Sequence, residues 1–208
     1  MAINLQKGQT INLEKSEYDL SMVTIGLGWD VRKRSTGLLA SLLGTEEPDY
    51  DLDAVAFLLN ESDKVVVLGD RLIGSDVIFY NNPRHGSGHI WLTGDNRTGD
   101  GDGDDEQIIV HLDALPQAYQ KILFVVQIYE GLKKNQHFGM IENAFIRAVD
   151  ARGREMVRFN ISGDSVYRNK RSVVFAEVYR RGPEWKFRAV GAPQDTDSFV
   201  DILRGYVN

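Results

Sequence analysis

Residues 172–191 read SVVFAEVYRRGPEWKFRAVG, and the fold class turns on this stretch. In an extended chain Val173, Phe175, Glu177 and Tyr179 share one face, and Val174, Ala176, Val178 and Arg180 share the other, because successive side chains of a strand alternate. Both faces begin apolar and one turns polar. Further on, Trp185, Phe187 and Ala189 alternate with Lys186, Arg188 and Val190, the pattern of a strand with one buried and one wet face. Strands are therefore expected at 172–180 and 184–191. Similar β-branched and aromatic runs recur between Gly, Asn, Asp and Pro residues. They predict strands at 2–6, 10–14, 22–28, 52–59, 64–68, 76–80, 88–93, 106–112, 121–130, 142–150 and 154–161. Residues 122–126 are apolar on both faces, which suits a central strand, and 61–63 is expected to join 52–59 to 64–68 as a hairpin. Helix is scarce. A short helical turn is expected at 113–120. Phe199, Ile202, Leu203 and Tyr206 predict a short C-terminal amphipathic helix over one end of the sandwich. The fold class is all-β, an antiparallel β-sandwich forming one domain over 1–208.

The composition narrows the functional classes. The absence of cysteine among 208 residues excludes disulfide frameworks, zinc ribbons and thiol nucleophiles. The start, MAINLQKGQT, lacks a basic segment followed by an apolar one, and no apolar run approaches the ~18 residues of a membrane span. A cytoplasmic location is the expectation. The net charge of -6 is unevenly spread. The stretch 95–106, DNRTGDGDGDDE, holds six acids against Arg97 alone. Beyond about 147 the chain turns basic, with Arg152, Arg154, Arg158, Arg168, Lys170, Arg171, Arg180, Arg181, Lys186 and Arg188. An acidic centre repels nucleic acid, so no nucleic-acid partner is expected. The basic third is either an ordinary solvated face or a contact for an acidic partner or an anionic membrane surface.

Residues 31–50 form a long excursion between strands, carrying Arg32, Lys33, Arg34, Leu38, Leu39, Leu42 and Leu43. An excursion of this length in a compact domain is either functional or disordered. Its leucines suggest docking, with a second copy of the chain as one candidate, so a homo-oligomer enters the expected partners.

Oxygen ligands gather at the ends of the expected strands. Asp30 follows one strand, Asp49, Asp51 and Asp53 begin another, and Asn81 and Asn82 follow a third. Asp95 and Asn96 open the acidic loop, and Asp102, Asp104, Asp105 and Glu106 close it. Concentrating like charges is unfavourable unless a cation offsets them, and binding a cation then favours the folded form. With no histidine or cysteine among these residues, the donors are all hard oxygens, which suits calcium or magnesium over zinc or copper. The number of ligands and the interleaved Gly94, Gly99, Gly101 and Gly103 favour calcium, which tolerates flexible geometry. An EF-hand is excluded. Counted from Asp95, Arg97 and Gly99 stand where acids belong and Asp100 where glycine belongs, and neither flank reads as a helix.

Six segments taken in order resemble the TerD-like, tellurium-resistance family: GLGWD (26–30), DLDA (51–54), FYNN (79–82), TGDNRTGDGDGDDE (93–106), NAFIR (143–147) and EWKFRAVG (184–191). The resemblance spans nearly the whole chain. It implies a calcium-binding β-sandwich of tellurite resistance and stress response, with calcium held by the matched acidic and amide residues and without catalytic activity. Other stress-response or membrane-associated proteins are the implied partners. The 31–50 segment is longer than the family's usual link.

An enzymatic alternative is a calcium-assisted phosphoester hydrolase using His85 or His89 as base. The chain has no serine nucleophile in a strand–turn–helix context, and Gly99, Gly101 and Gly103 are flanked by acids that would repel a pyrophosphate. A calcium-dependent docking surface for a protein or membrane accounts better for the ligands.

Overall fold

The computed structural model describes residues 2–31, 50–93 and 103–208. Twelve strands are arranged as two six-stranded sheets. The first sheet runs in the order β1 (Ile3–Leu5), β10 (Glu155–Asn160), β9 (Ile141–Val149), β3 (Val23–Val31), β7 (Glu106–Val110), β6 (Ile90–Leu92). The second runs β2 (Thr10–Leu13), β12 (Glu184–Gln194), β11 (Ser172–Arg181), β8 (Lys121–Ile128), β4 (Leu52–Leu59), β5 (Val77–Ile78). The pairings are antiparallel except that β1 lies parallel to β10, which corrects the purely antiparallel expectation. The chain leaves β1 in the first sheet and enters β2 in the second, so the amino-terminal residues seal one edge of each.

The two strands read from 172–191 form the long hairpin β11–β12, with Val178 opposite Phe187 and Arg180 opposite Trp185. Alternation then builds the core. Phe175, Trp185, Phe187 and Ala189 point between the sheets with Leu27, Trp29, Phe124, Val126, Ile146 and Phe159. As expected, β8 is central and buried on both faces. Its Leu123 and Val125 turn away from the inter-sheet core to join Val55, Phe57, Leu59 and Val174. That outer face is covered by α1 (Phe199–Leu203), through Phe199 and Leu203. The C-terminal helix thus lies on the face of the second sheet and not over an end. A sheet apolar on both sides needs a third layer, and α1 supplies it.

The expected hairpin between 52–59 and 64–68 does not form. In its place β4 pairs with β8 and β5, and the backbone of 65–68 is held singly: Val65 N–H donates to Tyr206 O (2.8 Å) and Asp76 N–H to Val67 O (2.8 Å). Val66, Val67 and Leu68 are exposed. The excursion expected at 31–50 lies outside the described residues for 32–49.

Candidate functional site

The strand ends carrying GLGWD, DLDA, FYNN, the acidic loop and NAFIR meet at one end of the sandwich, while EWKFRAVG starts from the other. Leu27 of β3 is opposite Glu106 at the start of β7, and Leu52 at the start of β4 is opposite Ile128 at the end of β8. The acids that the sequence groups together separate here into distinct sets.

The first set closes the acidic loop, and its three consecutive carboxylates point to three different anchors. Asp104, with its side chain 1% exposed, accepts from Arg147 Nε at 2.7 Å and from its second guanidinium nitrogen at 3.1 Å. This carboxylate lies directly over Gly26, where a Cβ atom would fall inside its van der Waals envelope. Gly28 is bare for a related reason: a Cβ there would meet the Phe145 ring and, at 2.7 Å, the Gly103 carbonyl. The glycines of GLGWD and the NAFIR segment therefore make one packed unit. Arg147 also binds Glu155 (2.9 Å), and Arg158 pairs with Glu155 (2.8 Å) while lying over the Phe145 ring. The ion pairs hold the Arg147 guanidinium more firmly protonated, Asp104 contributing most. They also hold the Glu155 carboxyl below its ordinary range, with Arg158 as the largest cause. Asp105 serves a second anchor. The register of β3 against β9 shifts between Gly28 and Asp30, and the Trp29 N–H at that bulge donates to the Asp105 carboxylate at 2.9 Å. Glu106 serves the third, its carboxylate accepting the N–H of Ala54 in the opposite sheet. Residue 54 lies on the side of β4 that β5 does not reach, since their pairing covers Ala56 and Phe57, and a buried N–H requires an acceptor.

The second set lines a cleft of about 520 Å³ formed by Asp51, Asp53, Tyr80, Asn81, Pro83, Leu92, Thr93 and Tyr129. Asp53 is buried, and one of its oxygens accepts from Gln127 Nε2 at 2.9 Å. Gln127 in turn accepts the Phe199 N–H at 2.6 Å, so the cleft wall is continuous with the anchor of α1. Burial, then the negative charge of Asp53, pushes the Tyr80 hydroxyl up. Tyr80 and Tyr129 meet edge to face across the cleft mouth. Carboxylate, amide and hydroxyl oxygens dominate the polar lining, and it contains no nitrogen or sulfur ligand of the histidine or cysteine kind. In donor type this fits a hard cation. Among the described residues no group of three or more histidine, cysteine or acidic side chains is close enough to hold an ion unaided.

The remaining candidates fall elsewhere. Asp30 is exposed and accepts from Asn143 Nδ2 at 2.6 Å. Asn82 is spent on the turn that holds FYNN, donating to the carbonyls of Ser75 and Val77 and accepting from Gly74 N–H. Asp95, Asn96 and Asp102 lie outside the described residues. His85 is buried, its Nε2 3.0 Å from Asp76 Oδ1 and its Nδ1 engaged by Ser87 at 2.8 Å. Tyr119 Oη donates to the same Asp76 oxygen at 2.9 Å. Burial alone would raise the Asp76 pKa, but hydrogen bonds from His85, Val67 N–H and Tyr119 outweigh it and hold it low. His89 is half-buried beside His111, which in turn meets the half-buried Trp91 edge to face. Asp76, Gln127 and Tyr129 had no signal in sequence; Tyr80 stood within the quoted FYNN segment.

The basic third is largely neutralised within the fold. Arg152 pairs with Asp150, Arg154 with Glu17, Lys170 with Asp195 and Arg188 with Glu177. Arg180 donates to the carbonyls of Leu115 and Tyr119 and covers the Trp185 ring.

The fold and the cleft define the class: a two-sheet β-sandwich with acids gathered at one end of its strands. The TerD domain model matches residues 1–206, and the chain belongs to that family. It is 55% identical over the full length of both chains to the tellurium resistance protein TerX of Serratia marcescens. It is 41% identical, again over the full length of both, to the stress response protein SCP2 of Bacillus subtilis (strain 168). The crystal structure of a homologue of telluride resistance protein (TerD) from Streptomyces coelicolor A3(2) shares the fold. Its TM-score is 0.61 at 21% identity, with 86% of this chain and 94% of that chain covered.

Proposed function

We propose that this chain acts in tellurite resistance and the general stress response as a non-catalytic, cytoplasmic calcium-binding module that docks on a protein or membrane partner. The observation that carries the reading is the cleft in which Asp51, Asp53, Asn81 and Thr93 come together. These residues would hold the ion, and Gln127 fixes the Asp53 carboxylate while α1 fixes Gln127. A calcium ion takes six to eight oxygens, more than these side chains supply, so carbonyls, water or an anionic partner group would complete the shell. Bound calcium would supply positive charge to an acidic end, giving a partner's carboxylate or phosphate something to meet. Asp104 is the least available acid of the loop, being paired with Arg147. Asp105 and Glu106 accept the N–H groups of Trp29 and Ala54 as Asp53 accepts from Gln127, and the several lone pairs of a carboxylate keep them in the candidate ligand set. The roles named for the relatives, tellurium resistance and stress response, support the physiological part. The non-catalytic part is supported by His85, whose ring nitrogens are both engaged.

Calorimetric titration of chelator-stripped protein with calcium, with magnesium as control, tests the proposal. The expected result is saturable calcium heat and a raised melting temperature, both lost in Asp53→Asn and retained in Asp104→Asn. Absence of calcium heat in the parent chain overturns it. Pull-down and liposome binding with and without chelator test the docking role, and binding indifferent to chelator counts against it.

A further inference from the structure

At the same end of the strands, on the side of β9, β10 and β11, lies a second cleft of about 220 Å³. Its walls are the one-turn 3₁₀ segments Phe138–Met140 and Ser165–Tyr167 and the 161–164 turn. Its floor is apolar, built from Phe138, Ile141, Ala144, Ile161 and Tyr167. Its rim holds Arg168, whose side chain makes no ion pair or hydrogen bond among the described residues, unlike most of the basic third. Arg171 stands behind, with one guanidinium nitrogen donating to the Asn169 carbonyl (3.2 Å) and its Nε buried without a partner. His137 faces both. Its Nδ1 accepts the Gly139 N–H at 3.1 Å, which leaves the proton on Nε2 as a donor. Burial, then the charges of Arg171 and Arg168, lowers the His137 pKa and keeps the ring neutral near pH 7. The acid on the rim is Asp164, whose carboxylate caps Val166 N–H at 3.0 Å.

The Arg168 fork and the imidazole N–H border the cleft, and the Arg171 charge acts on the same imidazole from behind. That suits a tetrahedral head with three acceptor oxygens better than a planar carboxylate, which one fork would satisfy. The apolar floor leaves room for a small organic group attached to the head. We propose that this cleft is a binding site for a small phosphomonoester, with the phosphate between Arg168 and His137, the Arg171 charge behind them, and the ester group on the Phe138–Ile161 floor. The site is separate from the Asp51–Asp53 cleft and does not depend on calcium.

The test is an NMR titration of the full chain, in buffer without divalent cations, with inorganic phosphate and with phenyl phosphate. Working without divalent cations keeps a failure of the calcium reading from imitating a failure here. Saturable shifts at 137–139 and 161–171 are expected, with phenyl phosphate saturating at lower concentration than inorganic phosphate. The pKa of the His137 ring should rise on binding. Arg168→Ala, an exposed change that should leave the melting temperature unaltered, should weaken binding about tenfold by removing a charge-assisted fork. Asp164→Asn should strengthen it. The absence of saturable shifts up to about 10 mM, a level that detects even millimolar affinity, overturns the proposal, as do shifts unchanged in Arg168→Ala.

Discussion

Placing a methyl group on Gly26 is the most demanding test of how the acidic loop is seated. The Cβ of Gly26→Ala would overlap the Asp104 carboxylate, which is fully enclosed and gripped by Arg147 at 2.7 and 3.1 Å. Overpacking alone costs about 1–3 kcal/mol. Here the side chain that must yield is half of an ion pair, and separating a buried pair costs about 3–5 kcal/mol. Because Arg147 is 26% exposed and keeps Glu155 as a partner, the lower end applies. A loss of about 3 kcal/mol is expected, which for a chain of this size lowers the melting temperature by about 6–12 °C. Asp104→Ala should cost a similar amount by leaving Arg147 half-paired. The two losses should not add, since once the carboxylate is gone the methyl group has space. Urea unfolding of the parent, both single variants and the double variant should therefore give a coupling of about 2 kcal/mol, within the range for residues in contact. Additivity within about 0.5 kcal/mol, the behaviour of independent sites, would refute the account of why GLGWD carries glycine.

Two further outcomes are expected. Asp76, Asp150 and Glu155 all have lowered pKa values. In Asp76 and Asp150 burial opposes the shift and hydrogen bonds overcome it; in Glu155 the Arg158 pair dominates. Such groups stabilise the fold fully above the ordinary carboxylate pKa and lose that contribution as pH falls through the depressed value. The urea midpoint should hold above about pH 5 and fall steeply below about pH 4; Asp150→Asn should flatten that fall, and a midpoint indifferent to acid would contradict it. Phe199→Ala empties the contact of α1 with Phe57 and Phe79 and should cost about 3 kcal/mol, a loss under about 1 kcal/mol being incompatible with α1 as a third layer.

What the sequence disclosed follows from which interactions are local. Alternation in 172–191 is a property of neighbouring residues, and the hairpin appears where it was read. The doubly apolar run 122–126 likewise lies at the centre of its sheet. Residues 64–68 misled for the opposite reason. Their composition is that of a strand, yet Lys64 is tied to Asn60 in a turn and the partners of the 65–67 backbone are Tyr206 and Asp76, which no local pattern reveals. The candidate site divides along the same line. That acids would gather at one end was legible, because each sits where an apolar run stops. Which acids face a cleft and which are tied down depends on Arg147, 43 residues from Asp104, and on Gln127, 74 from Asp53. The parallel β1–β10 pair was equally invisible, since strand direction is settled by the path between strands and not by their composition.

The seating of Asp104, Asp105 and Glu106 also separates two design problems that usually interfere. Inserting residues into a loop tends to slip the strand that follows, and a slip of one residue exchanges its inner and outer faces. Here β7 begins already moored to β9, to the bulge of β3 and to the far sheet. On the other side of the loop Thr93 N–H is tied to the Gln107 carbonyl at 2.9 Å. A change in the length or charge of the connection between these moorings should therefore leave the register of the sandwich intact. The chemistry of the connection and the register of the fold are thereby separable.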